Sequence, residues 1–421
     1  MVRDISEQLD GWYRAAFYVA VALFVYGTLF PFRFDFSPAF LAGSWSGAKL
    51  LPYWDTARGR ISSIPDMVSN LLLGMPLGCF GFWLRDRSSS RQSLWRWGLL
   101  GLTLGLSVEA LQLAIPSRTC SLTDAINDGL GAFIGALAAK GLKERFLPLV
   151  TVIRQDPARI QLFLILCILI FGMLGPLDVT LDVSQMKSAL RAIWVDPWES
   201  RVAMGDTWIF AAEFAIWGAL GGRLLRAGKL PARLPPALWI AGILALPFFL
   251  EMGQVFVASH APSLRELTTE TLGAAAGLGT ALARPPLTGP RVGLILLATA
   301  LAASGFSPYH FVGWDQKAPF QWIPLYEYYV RTTASSLYDA VFGIVSFGLL
   351  AVLLRASCSC SRWFAVGAAI ALASAIELGQ MFLPTRYPGI TDILMAALGA
   401  WTGATFQFGA PTAAEDVVHP H

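Results

Sequence analysis

Charge is what this sequence has least of. Only 14% of its 421 residues are Asp, Glu, Lys or Arg, against about 25% in soluble domains. The net charge is just +3, and no basic stretch interleaves with aromatics, so nucleic acid is excluded as a partner. Histidine is nearly missing, and His260 and His310 stand isolated. The five cysteines are odd in number and scattered. Cys358 and Cys360 lie close together, but no second pair and no histidine completes a zinc site. HExxH, the Walker loop and GxSxG are all absent, which argues against a conventional metalloprotease, ATPase or serine hydrolase. No metal and no cofactor is expected.

Apolar sequence takes the place of charge. Hydrophobic residues make up 55% of the chain, and its mean hydropathy is +0.56. Runs of about 18 or more apolar residues recur from end to end, each long enough for about 30 Å of hydrocarbon. They are rich in Leu, Ala and Gly and do not alternate, which argues against a β-barrel. The expected fold is an all-α polytopic membrane protein. Spans are expected near 13–31, 66–84, 95–115, 122–140, 158–176, 205–225, 237–258, 264–283, 291–306, 335–355, 362–382 and 390–407, about twelve transmembrane helices. Acids precede the first run and no small-residue cleavage site follows it, so it reads as a retained span and not a signal peptide.

One pattern occurs three times. Glu109, Gln112, Arg118, Asp124, Gly131 and Gly135 lie at offsets 0, 3, 9, 15, 22 and 26. The same offsets from Glu251 give Gln254, His260, Glu266, Gly273 and Gly277; from Glu377 they give Gln380, Arg386, Asp392, Gly399 and Gly403. Pro31-Phe32, Pro176-Leu177 and Pro308-Tyr309 recur more loosely upstream. The chain therefore divides into units 1–145, 146–285 and 286–410, with a polar tail at 411–421 expected to be disordered. Four helices per unit put all three repeats in one orientation. Lys and Arg gather in the loops after each unit's second helix (Arg87, Arg91, Arg233) and in the linkers (Lys143, Arg145, Arg284). That side, with both termini, is expected to be cytoplasmic.

The polar residues of the pattern are the candidate site. Glu109 and Gln112 share a helix face, roughly 10 Å below the outer surface at 1.5 Å per residue. A carboxylate there must be paired, protonated or beside water. Arg118 could pair with it, or could hold an external phosphate while Glu109 orients it or acts as a base. The three residues could equally fasten a helical hairpin. Ser121-x-x-Asp124 and Ser263-x-x-Glu266 read as capping boxes. The glycine pairs let helices approach closely. Asp66 and Asn70 open the second span a turn apart, Asp206 matches Asp66 by position, and Asp35 lies in PFRFDF. Trp and Tyr around 45–54, 194–208 and 314–329 suit an interfacial belt.

PFRFDF, Asp66-x-x-x-Asn70 followed by Leu71–Gly78, and Glu109-x-x-Gln112 with Arg118, Asp124 and Gly131 together resemble the VanZ-like family, as three tandem units. The family usually has Asn four residues after the Asp. This chain has Asp128, Glu270 and Ala396 there, and His260 replaces the arginine in the second unit. The resemblance implies a bacterial inner-membrane protein linked to envelope polysaccharide or glycopeptide resistance. The polar residues placed near the outer interface lead to a first reading, a site for an anionic envelope lipid or glycolipid head group, with Arg118 on its phosphate and Glu109, Gln112, Asn70, Asp35 and Asp66 around it. The other readings are a membrane transferase or hydrolase with Glu109 or Asp124 as general base, and a scaffold that works with envelope-assembly proteins.

Overall fold

The computed structural model describes residues 2–55, 59–61, 64–85, 94–154, 157–175, 180, 182–198, 207–230, 234–283, 290–326 and 333–405. The tail at 411–421, Pro176, Asp206 and the basic residues Arg87, Arg91, Arg233 and Arg284 lie outside them. Among the described residues there are fourteen α-helices, two single-turn 3-10 helices and one two-residue β-ribbon. The chain forms two compact units, 1–151 and 152–421.

The first compact unit contains α1 (Val2–Leu29), α2 (Pro38–Ser46), the ribbon β1 (Trp54–Asp55) and β2 (Arg60–Ile61), α3 (Ile64–Arg85), α4 (Leu94–Gln112) and α5 (Leu122–Arg154). Phe24, Leu77, Val108, Ile115 and Ala132 form its main buried cluster. Small residues draw α3 and α5 together. A Cβ on Gly131 or Gly135 would overlap the carbonyls of Leu71 and Met75, so any larger residue forces the helices apart.

The second compact unit contains α6 (Pro157–Leu174), α7 (Val183–Val195), α8 (Thr207–Arg226), α9 (Pro236–Gly253), α10 (Leu264–Leu282), α11 (Pro290–Phe306), α12 (Thr333–Cys358), α13 (Arg362–Gln380) and α14 (Ile390–Thr405). Ile165, Leu169, Phe214, Ile243, Leu297 and Leu349 belong to one continuous core. The glycine device appears twice more. Gly273 and Gly277 of α10 meet the carbonyls of Ala211 and Ala215 on α8, and Gly399 and Gly403 of α14 meet those of Ile344 and Gly348 on α12.

All twelve apolar segments read from the sequence fall on helices. Among the described residues, five helices are long and apolar enough to cross a membrane: those at Met67–Leu84, Thr207–Arg226, Pro236–Phe256, Tyr338–Cys358 and Arg362–Gln380. Ala16–Leu29, Ala158–Leu174 and Pro290–Phe306 are shorter and also apolar. Leu72, Phe249 and Ile295 are more than half exposed. Such outward apolar faces suit hydrocarbon better than water.

The short helices α2 and α7 were not anticipated. Each starts at an Asp-x-Ser turn, where Asp35 Oδ1 accepts the Ser37 N–H at 2.9 Å and Asp182 Oδ1 accepts the Ser184 N–H at 2.8 Å. These bonds hold both carboxyls below the ordinary aspartate range. On α7, Trp194 and Val195 are strongly exposed, as expected of a helix lying in the membrane interface.

Candidate functional site

Each motif glutamate sits at the end of one helix and holds the start of the next. Glu109 Oε2 accepts the Ser121 N–H at 2.6 Å, Glu251 Oε2 accepts the Ser263 N–H at 3.0 Å, and Glu377 Oε2 accepts the Gly389 N–H at 2.9 Å. The donor is twelve residues on in every case. All three side chains are buried. A carboxylate on an amide at a helix start satisfies an orphan donor and faces the positive end of the dipole. The serine then caps the helix. Ser121 Oγ accepts the Asp124 N–H at 3.4 Å, and Ser263 Oγ accepts the Arg265 N–H at 3.2 Å. The Cys120 thiol also bonds Glu109; burial and then the Glu109 charge push it up to about 11, so it stays protonated as a donor.

Glutamine and arginine serve a different helix. Gln112 Nε2 donates to the Thr28 carbonyl at 2.9 Å, and Arg118 donates to the carbonyls of Gly27 and Phe30 at 3.2–3.4 Å. In the third motif copy Gln380 Nε2 donates to Gly305 at 3.1 Å, while Arg386 donates from Nε to Ser307 at 3.0 Å and from Nη2 to Ser304 at 2.8 Å. These acceptors are the last carbonyls of α1 and α11, which no intrahelical amide can reach. The arginine is thus a C-cap for the first helix of its copy. The charge of Arg118 still acts on Glu109, but more weakly than the Ser121 amide does. In the second copy His260 holds Ser259 Oγ at 2.9 Å through Nδ1.

The loops repeat these contacts. Lys49 pairs with Ser121 and Gln321 with Gly389 in short parallel bridges. The Tyr53 amide donates to Thr123 Oγ1, and the Leu325 amide to Thr391 Oγ1, each at 2.8 Å. Tyr53 and Leu325 share a left-handed backbone, with φ of 60° and 59°.

In the third copy the motif residues also line a cavity. Glu377, Gln380, Arg386 and Asp392 face a space of about 290 Å³, with Asp339 and the apolar Phe342, Phe347 and Ile376. A second cavity of about 210 Å³ is lined by Glu213, Tyr338, Ser307 and again Arg386, Ser304 and Phe342. Arg386 therefore borders both. Its Nε and Nη2 are occupied by carbonyls, and Nη1 donates to no protein group among the described residues.

The structure brings Arg118 and Asp124 each within electrostatic reach of Glu109. Asp35 instead bonds locally and is half-buried, as is Asn70 on α3. Asp66 starts the same helix, and its side chain lies outside the described residues. Asp128 and Glu270 were noted in the sequence only as departures from a pattern. They are buried, one turn along the same helix face from Asp124 and Glu266. That i, i+4 spacing of two acids inside an apolar helix was the available signal.

The VanZ/LLP1 family model matches residues 17–144 and 294–408, together more than half of the chain. No curated protein and no solved structure matches it.

Proposed function

The chain belongs to the VanZ/LLP1 family, and from that premise we propose that it binds the head group of a phosphate-bearing envelope glycolipid at the third motif copy. The reading places it in a bacterial inner membrane, with twelve spans in three parallel four-helix repeats and both termini in the cytoplasm. The placement of Lys and Arg supports this orientation. One observation carries the ligand assignment: Arg386 lines two cavities whose walls combine carboxylates, a glutamine and aromatic side chains. A guanidinium suits phosphate, carboxylates accept sugar hydroxyls, and the apolar wall suits an acyl or prenyl chain. Arg386 Nη1 is the group offered to the phosphate.

The test is native mass spectrometry of the protein purified in mild detergent. Wild type should retain a phosphate-containing lipid, and Arg386→Ala should lose it while remaining monodisperse. A lipid-free wild type, or a lipid retained equally by a folded Arg386→Ala, would overturn the assignment.

A second reading rests on the glutamate bonds. Glu109 and Glu251 are buried and hold backbone amides, which favours a fastening role over a general base. On that reading the chain is a scaffold for envelope-assembly proteins, and its variants lose stability without losing a ligand.

A further inference from the structure

The second motif copy gathers three glutamates, of which the fastening described above uses one oxygen of Glu251. Glu251 lies at the end of α9, and Glu266 and Glu270 are one turn apart on α10. All three are buried, with Glu270 fully so. One carboxylate oxygen from each lies within 4.8 Å of the others. A hard cation with oxygen ligands at about 2.0–2.6 Å holds opposed ligand atoms about 4–5 Å apart, so the spacing suits one ion.

The second observation is an unmet need. Among the described residues neither oxygen of Glu270 has a hydrogen-bond partner, and Glu251 Oε1 has none while its Oε2 accepts the Ser263 N–H. The charges that act on Glu270 come from Glu251, Glu266 and Glu213, all of one sign. A buried carboxylate such as that of Glu270, crowded by other acids and left without hydrogen-bond partners, is strongly disfavoured. A cation inserted among them supplies both the charge and the missing partners.

We propose that Glu251, Glu266 and Glu270 bind one hard divalent cation and that the ion joins the end of α9 to the start of α10. Among the described residues, the second copy alone gathers three carboxylate oxygens this closely. The same offsets give Glu109, Asp124 and Asp128 in the first copy, with two side chains each a methylene shorter. In the third they give Glu377, Asp392 and Ala396, which removes a ligand. All-oxygen carboxylate ligation selects Ca²⁺, Mg²⁺ or Mn²⁺ over softer metals. The inference does not depend on the head-group reading.

The experiment uses Mn²⁺ as the probe. The full chain, stripped with EDTA in detergent and returned to chelator-free buffer, is titrated while free Mn²⁺ is read by its paramagnetic resonance signal. Wild type should take up one equivalent, and its melting temperature should rise on Mn²⁺ addition. Glu270→Gln should lose both responses, and Glu266→Asp should weaken them. Glu109→Gln should keep both. Absence of uptake by wild type overturns the proposal without any variant, as acids neutralised by protons alone would give. Uptake unchanged in a folded Glu270→Gln overturns it as well.

Discussion

The first and third motif copies are fastened alike and filled differently. In both, a glutamate holds the amide at the start of the last helix, and a glutamine and an arginine cap the first helix. The difference lies one layer inward. In the first copy Asp128 packs against Gly105, where an added Cβ would come within 2.9 Å of its carboxylate. At the matching positions the third copy has Ala396 and Ala373, and Ala373 lines a cavity. The fastening depends on backbone donors and acceptors, which every copy supplies. The filling depends on side chains, which are free to differ. The same frame can therefore hold a polar plug in one copy and a space in another.

The largest effect that would break this comparison is in the part the copies share. Gly135→Leu and Gly403→Leu place a side chain into a neighbouring carbonyl. Overpacking costs about 1–3 kcal/mol or more, so both should melt far below wild type or fail to be recovered folded. A severe loss in one and tolerance in the other would mean that the two helix pairs are not equivalent.

Glu109→Ala and Glu377→Ala come next. Each strands a buried amide, a loss of about 1–3 kcal/mol, and thermal melts in detergent should show similar falls. A fall confined to Glu109→Ala would assign Glu377 to the cavity and not to fastening. Arg118→Lys and Arg386→Lys should cost less, about 1 kcal/mol each, because one ammonium cannot span the carbonyls that the guanidinium reaches. Only the second should weaken lipid retention.

Asp35 should matter least. Its folded pKa lies below the ordinary value of 3.8 because the Ser37 amide and hydroxyl favour the charged form. Its contribution is therefore fully present above that value and is lost as pH falls through the lower folded value. Melts of wild type and Asp35→Asn should differ slightly at pH 6 and converge near pH 2. A constant difference would show that the carboxylate charge is not what starts α2.

The sequence alone determined the twelve helical segments, because length and apolar content are written residue by residue and survive any packing. It also determined that the Glu–Gln–Arg–Asp pattern recurs, intact in the first and third copies and with His260 and Glu266 in the second. What it left open was the use of each polar group. Glu109 and Arg118, nine residues apart, read naturally as an ion pair, yet the tertiary structure sends one to an amide ahead and the other to carbonyls more than eighty residues back. Those partners are backbone atoms, identical in every residue type, so no side-chain pattern could announce them. The gathering of Glu251, Glu266 and Glu270 and the cavity beside Arg386 were likewise decided by helix packing. Whether carboxylates converge, or a space stays open, turns on distances of an ångström or two that only the folded chain sets.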